Sequence, residues 1–185
     1  MLNRNFRVAD DASAIFRSVL CEICSNNGAD AQPRGAQPKA STMINVTPFL
    51  LFDGNCANAM AFYQSCLGGE LTITKVGETP MKDQMPPEQH HKVAYAQLKS
   101  DDVEFSATDW LHPLHPTRTP KPGNTVAMYV IGEKYEELRA IFDRLAAGGD
   151  KELLDRLRDM PFGSYGHLAD KYGVHWFFRG EKTES

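Results

Sequence analysis

A short motif that occurs twice constrains the fold of this chain more than any other feature. The segment from Phe62 to Glu70 has a phenylalanine, five further residues, then Gly-Gly and an acidic residue, and the segment from Phe142 to Asp150 has the same arrangement. The two segments are offset by 80 positions. Because internal repetition indicates that one structural unit is built more than once, the sequence predicts two related modules.

The elements of the first module follow from its residue pattern. Apolar residues at helical spacing, including Phe62 and Tyr63, lie between Asn55, an expected helix N-cap, and Gly68-Gly69, a helix stop. Apolar, β-branched and alternating residues predict strands at 46–52, 71–76, 92–98 and 103–108. The predicted order is therefore β-α-β-β-β.

The second module is predicted to have the same order. Strands are expected at 125–131, 164–168 and 174–178. Residues 151–160, K-E-L-L-D-R-L-R-D-M, have helical propensity, but the repeat requires a strand at this place and we predict one. The stripe of apolar residues that marks the helix consists of Tyr135, Leu138, Ile141, Phe142 and Leu145.

The chain before the modules has a different composition. Residues 25–42 contain no large apolar side chain and are rich in Gly, Pro, Asn and Gln, which favours a flexible linker. One hypothesis is that Met43 is the biological start, and an intact mass that includes residues 1–42 would refute it. The predicted parts are an N-terminal extension at 1–42, a first module at 43–112, a Pro-rich linker at 113–123, a second module at 124–181 and a tail at 182–185.

Composition argues against several classes of partner. The 20 Lys and Arg against 24 Asp and Glu give a net charge of −4 without a basic cluster, so nucleic acid is not expected. No apolar run approaches the roughly 20 residues that span a bilayer, so no membrane partner is expected. We interpret Cys21, Cys24, Cys56 and Cys66 as free thiols of a cytoplasmic protein, although Cys21-x-x-Cys24 could be a redox pair or half a zinc site.

Two motifs connect this architecture to a known group of proteins. The segment F-D-G-N-C-A-N-A-M-A-F-Y-Q-S-C-L-G-G-E-L and the closing P-F-G-S-Y-G-H-L-A-D-K-Y-G-V-H-W resemble the vicinal-oxygen-chelate superfamily of glyoxalase, bleomycin-resistance and extradiol-dioxygenase proteins. Within it, residues 44–179 resemble the PhnB-like branch, often labelled 3-demethylubiquinone 3-methyltransferase-like. The resemblance implies an α+β fold in which two tandem βαβββ modules form curled sheets around a cleft. It also implies a small-molecule ligand and a homodimer.

The resemblance brings an expectation about metal. Metal-dependent members carry His or Gln on the opening strand of a module and Glu on its last strand, and these side chains hold a divalent ion. The matching positions here are Thr47, Thr125 and Phe177, so we predict neither the usual metal site nor another cofactor. A metal-dependent lyase or dioxygenase with non-standard ligands stays open as an alternative, with His112-x-x-His115 as one candidate pair.

Strand alternation identifies candidate site residues in the first module. Glu104 lies on the polar face of its strand, where it could be a general base in the cleft or a solvated side chain. Tyr95 has a hydroxyl that could orient a ligand. Asp109 and Trp110 end the strand and are candidate ligand-binding residues, but Asp109 could instead bond backbone N–H groups of the following turn.

The second module offers a further set of candidates. His175 and Phe177 share one face of the last strand, whereas Trp176 lies on the other and is expected in the core. If Phe177 points into the cleft, so does His175, which could then act as an acid or base near neutral pH. Tyr165 and His167 are candidate ligand-binding residues that, like Tyr95, could orient a ligand on the cleft wall.

Two classes of function fit these residues. One is an enzyme of lyase or isomerase type that works without a bound metal and uses Glu104 or His175 as acid or base. The other is a non-catalytic protein that binds small molecules of antibiotic type in an aromatic cleft. Methyl transfer is not favoured, because no glycine-rich loop follows the first strand of a Rossmann unit to bind S-adenosylmethionine.

Overall fold

The β-α-β-β-β unit predicted from the repeat occurs twice in the computed structural model, which describes residues 45–111 and 119–181. The first copy consists of β1 Phe49–Phe52, α1 Cys56–Leu67, β2 Glu70–Lys75, β3 Val93–Lys99 and β4 Glu104–Asp109. The second consists of β5 Met128–Gly132, α2 Tyr135–Ala146, β6 Asp155–Met160, β7 Gly163–Ala169 and β8 His175–Gly180. The predicted α+β fold with two modules is therefore confirmed.

Each copy forms a four-stranded sheet with the same arrangement of strands. The order is β1-β4-β3-β2 in the first sheet and β5-β8-β7-β6 in the second. The first strand of each module pairs parallel with the last, and the other neighbours pair antiparallel. As a result, β1 and β5 are edge strands of their sheets.

The repeated motif forms the same tight corner between helix and strand in both modules. Gly68 and Gly148, which follow α1 and α2, both have a φ of +77°, a left-handed conformation that glycine adopts without strain. A Cβ on Gly69 would lie 2.8 Å from the carbonyl oxygen of the last residue of β3. A Cβ on Gly149 would lie 2.5 Å from the carbonyl oxygen of the last residue of β7. The motif therefore lets the chain pass close to the end of the third strand of each module.

Some elements differ from their predicted bounds. Residues 46–48 and 125–127 precede β1 and β5 instead of belonging to them. The segment at 151–160 begins with a turn and continues as β6, so the repeat was a better guide than helical propensity. Pairing with β7 and burial of Leu157 in the core outweigh that propensity.

The two helices join the modules in one hydrophobic core. Each helix packs against its own sheet, and the two helices also contact each other. The Tyr63 ring of α1 lies 5.4 Å from the ring of Trp176 in β8, and Arg144 of α2 donates to the Cys66 carbonyl oxygen from Nη2 at 2.8 Å. Each sheet therefore has one face toward the helices and an outer face, the face turned away from its helix.

Several smaller predictions concern the first module. Cys56 and Cys66 are free, as expected, and the structure shows that both are buried. Asn55 occupies the N-cap of α1 as predicted, but its side chain makes no capping hydrogen bond. In the described ranges, each of the two α-helices has 12 residues, and no helix there is long and apolar enough to cross a membrane. Cys21, Cys24 and Met43 lie outside the described residues.

Candidate functional site

The last strand, β8, divides its side chains between the core and the outer face of the second sheet. Trp176 and Phe178 are almost fully buried in the core. Because successive side chains of a strand point to opposite faces, His175, Phe177 and Arg179 lie on the outer face. The predicted shared face of His175 and Phe177 is confirmed, as is the core position of Trp176.

Neighbouring strands add further side chains to this outer face. In the strand register, Phe177 lies between Tyr129 of β5 and His167 of β7. Arg179 lies opposite Tyr165 of β7. The structure therefore brings together four of the candidates expected from the sequence, namely Tyr165, His167, His175 and Phe177.

The same face contains an open cavity of about 460 Å³. The Tyr165 ring lies 6.3 Å from the ring of Phe162 and 6.2 Å from that of Phe177, measured between centroids. Tyr129 and Phe162 are 58% and 51% exposed, respectively. The volume lies within the range of small-molecule sites, and aromatic side chains form the walls. The cavity is lined by Ala127, Met128, Tyr129, Phe162, Tyr165, Phe177, Phe178 and Arg179.

Two histidines next to the cavity form a hydrogen-bonded pair. Nε2 of His167 lies 3.0 Å from Nδ1 of His175, and the rings are nearly parallel. One nitrogen must carry the proton and the other the lone pair. Burial lowers the pKa of His167, and the charge on His175 lowers it further. The His167 ring also stacks on Phe177 at 4.3 Å, which places this proton-sharing pair against the aromatic wall.

The outer face of the first sheet differs because its polar groups are buried and bonded to each other. The Tyr95 hydroxyl lies 3.0 Å from Oγ of Ser106, and the Thr108 hydroxyl donates to the Ala94 carbonyl oxygen at 2.9 Å. Tyr95, Ser106 and Thr108 are each less than a tenth exposed. Tyr95 therefore lies on the other sheet from the aromatic cavity, with its hydroxyl already bonded.

Glu104 also lies on the first sheet and apart from the histidine pair. Its carboxylate is 3.8 Å from Nζ of Lys99 and accepts a 3.3 Å hydrogen bond from Gln97. The side chain is 44% exposed. The structure thus places Glu104 in a solvated ion pair near the β3–β4 turn, while its catalytic role stays a prediction.

Asp109 holds together the start of α1 and the start of β3. Its Oδ1 accepts a hydrogen bond from Cys56 N at 3.0 Å, and its Oδ2 accepts one from Val93 N at 2.9 Å. The carboxylate is 2% exposed, so these contacts support a structural role between elements and not the local turn that we considered. Burial, together with the Asp109 charge, raises the pKa of the Cys56 thiol far above its usual value. Trp110 is half-buried, and its carbonyl oxygen accepts from Nζ of Lys92.

The residues present do not fit the divalent ion that the resemblance implies. Thr47 and Thr125 are exposed residues before β1 and β5, and the Phe177 ring is stacked on His167. Threonine hydroxyls and a phenyl ring do not form the N/O ligand set that such an ion needs. Within 45–111 and 119–181, no group of three or more His, Cys, Asp or Glu could hold a metal ion. His112 and His115 lie outside the described residues.

Among the cavity residues that sequence reasoning missed, the three exposed ones are Tyr129, Phe162 and Arg179. Tyr129 and Arg179 could have been found by extending the alternation on β5 and β8 that identified Phe177. Phe162 lies in the turn between β6 and β7, and its position follows only from the fold. A turn residue has no periodic pattern from which its direction could be predicted.

Comparisons with known proteins agree with this architecture. A family model described as 3-demethylubiquinone-9 3-methyltransferase matches residues 44–178, well over half of the chain. The chain belongs to this family. The protein YjdN from Escherichia coli (strain K12) is 28% identical over 148 residues, which cover 75% of this chain and 97% of YjdN.

Solved structures extend the similarity to the fold. The PhnB protein from Bacillus cereus is 30% identical with a TM-score of 0.57, and the match covers 74% of this chain and 99% of that protein. A glyoxalase/bleomycin-resistance/dioxygenase domain from Frankia sp. EAN1pec shares the fold at 14% identity, with a TM-score of 0.51 and coverage of 78% and 96%. The predicted membership in the PhnB-like branch is confirmed. The predicted glyoxalase-like fold is shared with the Frankia domain.

Proposed function

We propose that this protein binds a small planar aromatic molecule on the outer face of its second sheet, without the divalent ion of metal-dependent glyoxalase-like proteins. The aromatic cavity beside Phe177 carries the proposal. A planar ligand there would be surrounded by the Tyr165, Phe162 and Tyr129 rings, and aromatic contacts stabilise such complexes beyond the effect of buried area alone. The fold, which the chain shares with a glyoxalase/bleomycin-resistance/dioxygenase domain, supports the same assignment.

Ligand-observed NMR with a set of one- and two-ring aromatic fragments tests the binding. Tyr165→Ala removes a cavity wall and is expected to weaken fragment binding at least severalfold. Leu153→Ala is the matched control, because Leu153 is 42% exposed and does not line the cavity. If fragments bind equally well to both variants and to the unmodified protein, or if no fragment binds, the proposed site is wrong.

The part of the proposal that concerns metal rests on Thr47, Thr125 and Phe177. Elemental analysis of protein purified without a metal-affinity tag should find no stoichiometric nickel, zinc, manganese or iron. A divalent ion that binds only the folded state would add about 2.7 kcal/mol at 100 times its dissociation constant, so thermal shift on titration is a sensitive second readout. Stoichiometric metal, or a large saturable shift, would contradict this part of the proposal.

A homodimer also belongs to the proposal. Edge strand β1 exposes Phe49 and Leu51 at 46% and 45%, and edge strand β5 exposes Ile131 at 69%. Apolar side chains on unpaired edge strands favour association with another chain, and a second copy would cover both edges. Sedimentation velocity should show a dimer that Ile131→Glu weakens and Leu153→Glu leaves intact. A monomer at all accessible concentrations would contradict the homodimer.

The histidine pair favours a second candidate function, acid–base catalysis on the ligand. His167 and His175 share a proton 3.0 Å apart beside the cavity, and an imidazole can move a proton near neutral pH. An aryl ketone in deuterated water tests this function, because proton abstraction next to the carbonyl is read as deuterium incorporation. Incorporation that His175→Ala abolishes would support the enzyme; no incorporation above the uncatalysed rate would leave the binding protein.

The proposal does not include methyl transfer, the activity named in the description of the matching family model. Between the first strand and the helix, the first module has a single glycine, Gly54, and in the second module a single glycine, Gly132, ends β5. A Cβ on Gly132 would lie 3.0 Å from Cδ2 of Leu138, so this glycine allows close helix packing and is no part of a glycine-rich loop. Calorimetric titration with S-adenosylmethionine should give no binding heat, and saturable binding would overturn this conclusion.

A further inference from the structure

Arg179 is a cation in the aromatic cavity whose positive charge has no opposite charge beside it in the described part of the chain. Its guanidinium carbon lies 5.6 Å from the centre of the Phe162 ring, and its Nη2 makes a long, 3.5 Å contact with the Phe162 carbonyl oxygen. Within residues 45–111 and 119–181, no carboxylate lies within ion-pair distance of it. A guanidinium above an aromatic face keeps in-plane N–H groups available for a ligand.

The other charged side chains of this face do not neutralise Arg179. Arg158 lies opposite Tyr165 on β6 and pairs with Asp155, which lies opposite His167. Those two charges cancel, so they leave the positive charge of Arg179 at the cavity in a chain whose total is −4. A local cation in an otherwise acidic protein attracts anions to its surroundings.

The positions of the rings define where an anionic group would lie. Tyr165 is directly opposite Arg179 in the strand register, and its ring contacts both Phe162 and Phe177. A ligand ring against these aromatic side chains would therefore bring a substituent to the guanidinium. Carboxylates and other ionised oxygens form the strongest hydrogen bonds with arginine, and the pairing can be bidentate.

We infer that the cavity takes planar aromatic molecules that carry a carboxylate or another ionised oxygen, and that Arg179 is the residue that selects them. This inference rests on the proposed function and names the chemical class of its ligand. The aromatic rings supply affinity for any flat apolar molecule. Arg179 supplies the discrimination between an anionic molecule and its neutral counterpart.

Isothermal titration calorimetry with a matched pair of probes tests the inference. The probes are 2-naphthoate, a planar aromatic anion, and 2-naphthamide, a neutral molecule of nearly the same shape. They are titrated at low ionic strength into the unmodified protein, into Arg179→Gln and into Arg156→Gln. Arg156 is the control, because it is an exposed arginine on the same sheet that does not line the cavity. Both arginines are exposed, so neither change should disturb folding, and circular dichroism confirms that.

The expected result is a preference of about tenfold for naphthoate over naphthamide, the effect of one partly exposed charge-assisted hydrogen bond. Arg179→Gln should abolish the preference and change naphthamide binding by less than about twofold, whereas Arg156→Gln should keep the preference. Added salt should weaken only naphthoate.

Failure of the inference and failure of the proposed function give different results. If both probes bind with equal affinity and Arg179→Gln affects neither, the aromatic site stands and the selection of anions by Arg179 is wrong. If the preference disappears equally in Arg156→Gln, a diffuse surface charge is responsible and the inference is also wrong. If neither probe binds the unmodified protein, the proposed aromatic site fails, and the inference fails with it.

Discussion

The hydroxyl of Tyr63 donates a 2.9 Å hydrogen bond to Oδ2 of Asp170, and this bond joins helix α1 of the first module to the β7–β8 turn of the second. The Asp170 carboxylate is 3% exposed and accepts three more hydrogen bonds, from Tyr172 N at 2.8 Å, Val174 N at 3.1 Å and Trp176 Nε1 at 2.8 Å. A buried charge is tolerated only when it is satisfied in this way. Asp170 therefore fixes the turn and the contact between the modules together.

Tyr63→Phe should lower the free energy of unfolding by about 1.5–3 kcal/mol, the usual range for a hydrogen bond to a charged group. Burial and the neighbouring Asp170 charge raise the pKa of Tyr63 well above its usual value, so the phenol is a donor at every ordinary pH. Urea unfolding measures the loss. Tyr172→Phe is the control, because its hydroxyl makes no hydrogen bond within the described residues, and a loss as large as that of Tyr63→Phe would contradict the account.

Gly149→Ala should destabilise the fold by about 1–3 kcal/mol, because the new methyl group meets a backbone oxygen 2.5 Å away and cannot move aside. Gly123→Ala is the matched control, since a Cβ there meets nothing within 4 Å. Thermal unfolding of the two variants compares them directly. Equal melting temperatures would show that the repeated corner is not as tight as described.

Asp109→Asn should cost about 1–3 kcal/mol of stability. Asparagine has one acceptor oxygen where the carboxylate has two, so either Cys56 N or Val93 N would lose its partner. Asp53→Asn, at an exposed position, should change the urea midpoint little. A stable Asp109→Asn variant with altered fragment binding would point instead to the ligand role that we first considered.

The unfolding free energy should decline as the pH falls below about 6.5, through His167. Burial and the charge of His175 lower the pKa of folded His167, while Asp155 opposes them, so the unfolded chain takes up the proton first. The contribution of His167 to the free energy of unfolding is complete above about pH 6.5. It is lost as the pH falls from there to the lowered pKa that His167 has in the folded protein. Urea unfolding across this interval should be less pH-dependent in His167→Gln than in the exposed control His91→Gln. If the unfolding free energy depends on pH equally in the two variants, the lowered pKa of His167 is wrong.

The architecture could be predicted from the sequence because the repeat carries tertiary information. Gly68-Gly69 and Gly148-Gly149 mark equivalent corners, and this equivalence identified β6 where local propensity favoured a helix. Strand ends were predicted less well: residues 46–48 have strand-like character, but the register with β4 begins at Phe49, and Pro48 adds one hydrogen bond, which its carbonyl oxygen accepts from Ser106 N at 3.0 Å. Pairing partners, not residue type, decide where a strand begins.

The candidate site could be predicted only on one strand at a time. Alternation along β8 identified His175 and Phe177, but it does not reveal that the outer face of the second sheet is open while that of the first is largely closed. That difference depends on how Tyr95, Ser106 and Thr108 are covered and bonded in the folded chain. Alternation along β4 likewise could not show whether Glu104 points into an open cleft or lies in a solvated ion pair.

The most direct test of the central claim is a chemical-shift map of the isotope-labelled full-length protein titrated with 2-naphthamide. If the outer face of the second sheet is the ligand site, the largest amide shifts should fall in residues 127–131, 162–167 and 175–179. Shifts concentrated around Tyr95 and Ser106 of the first sheet, or scattered over the surface, would contradict the account.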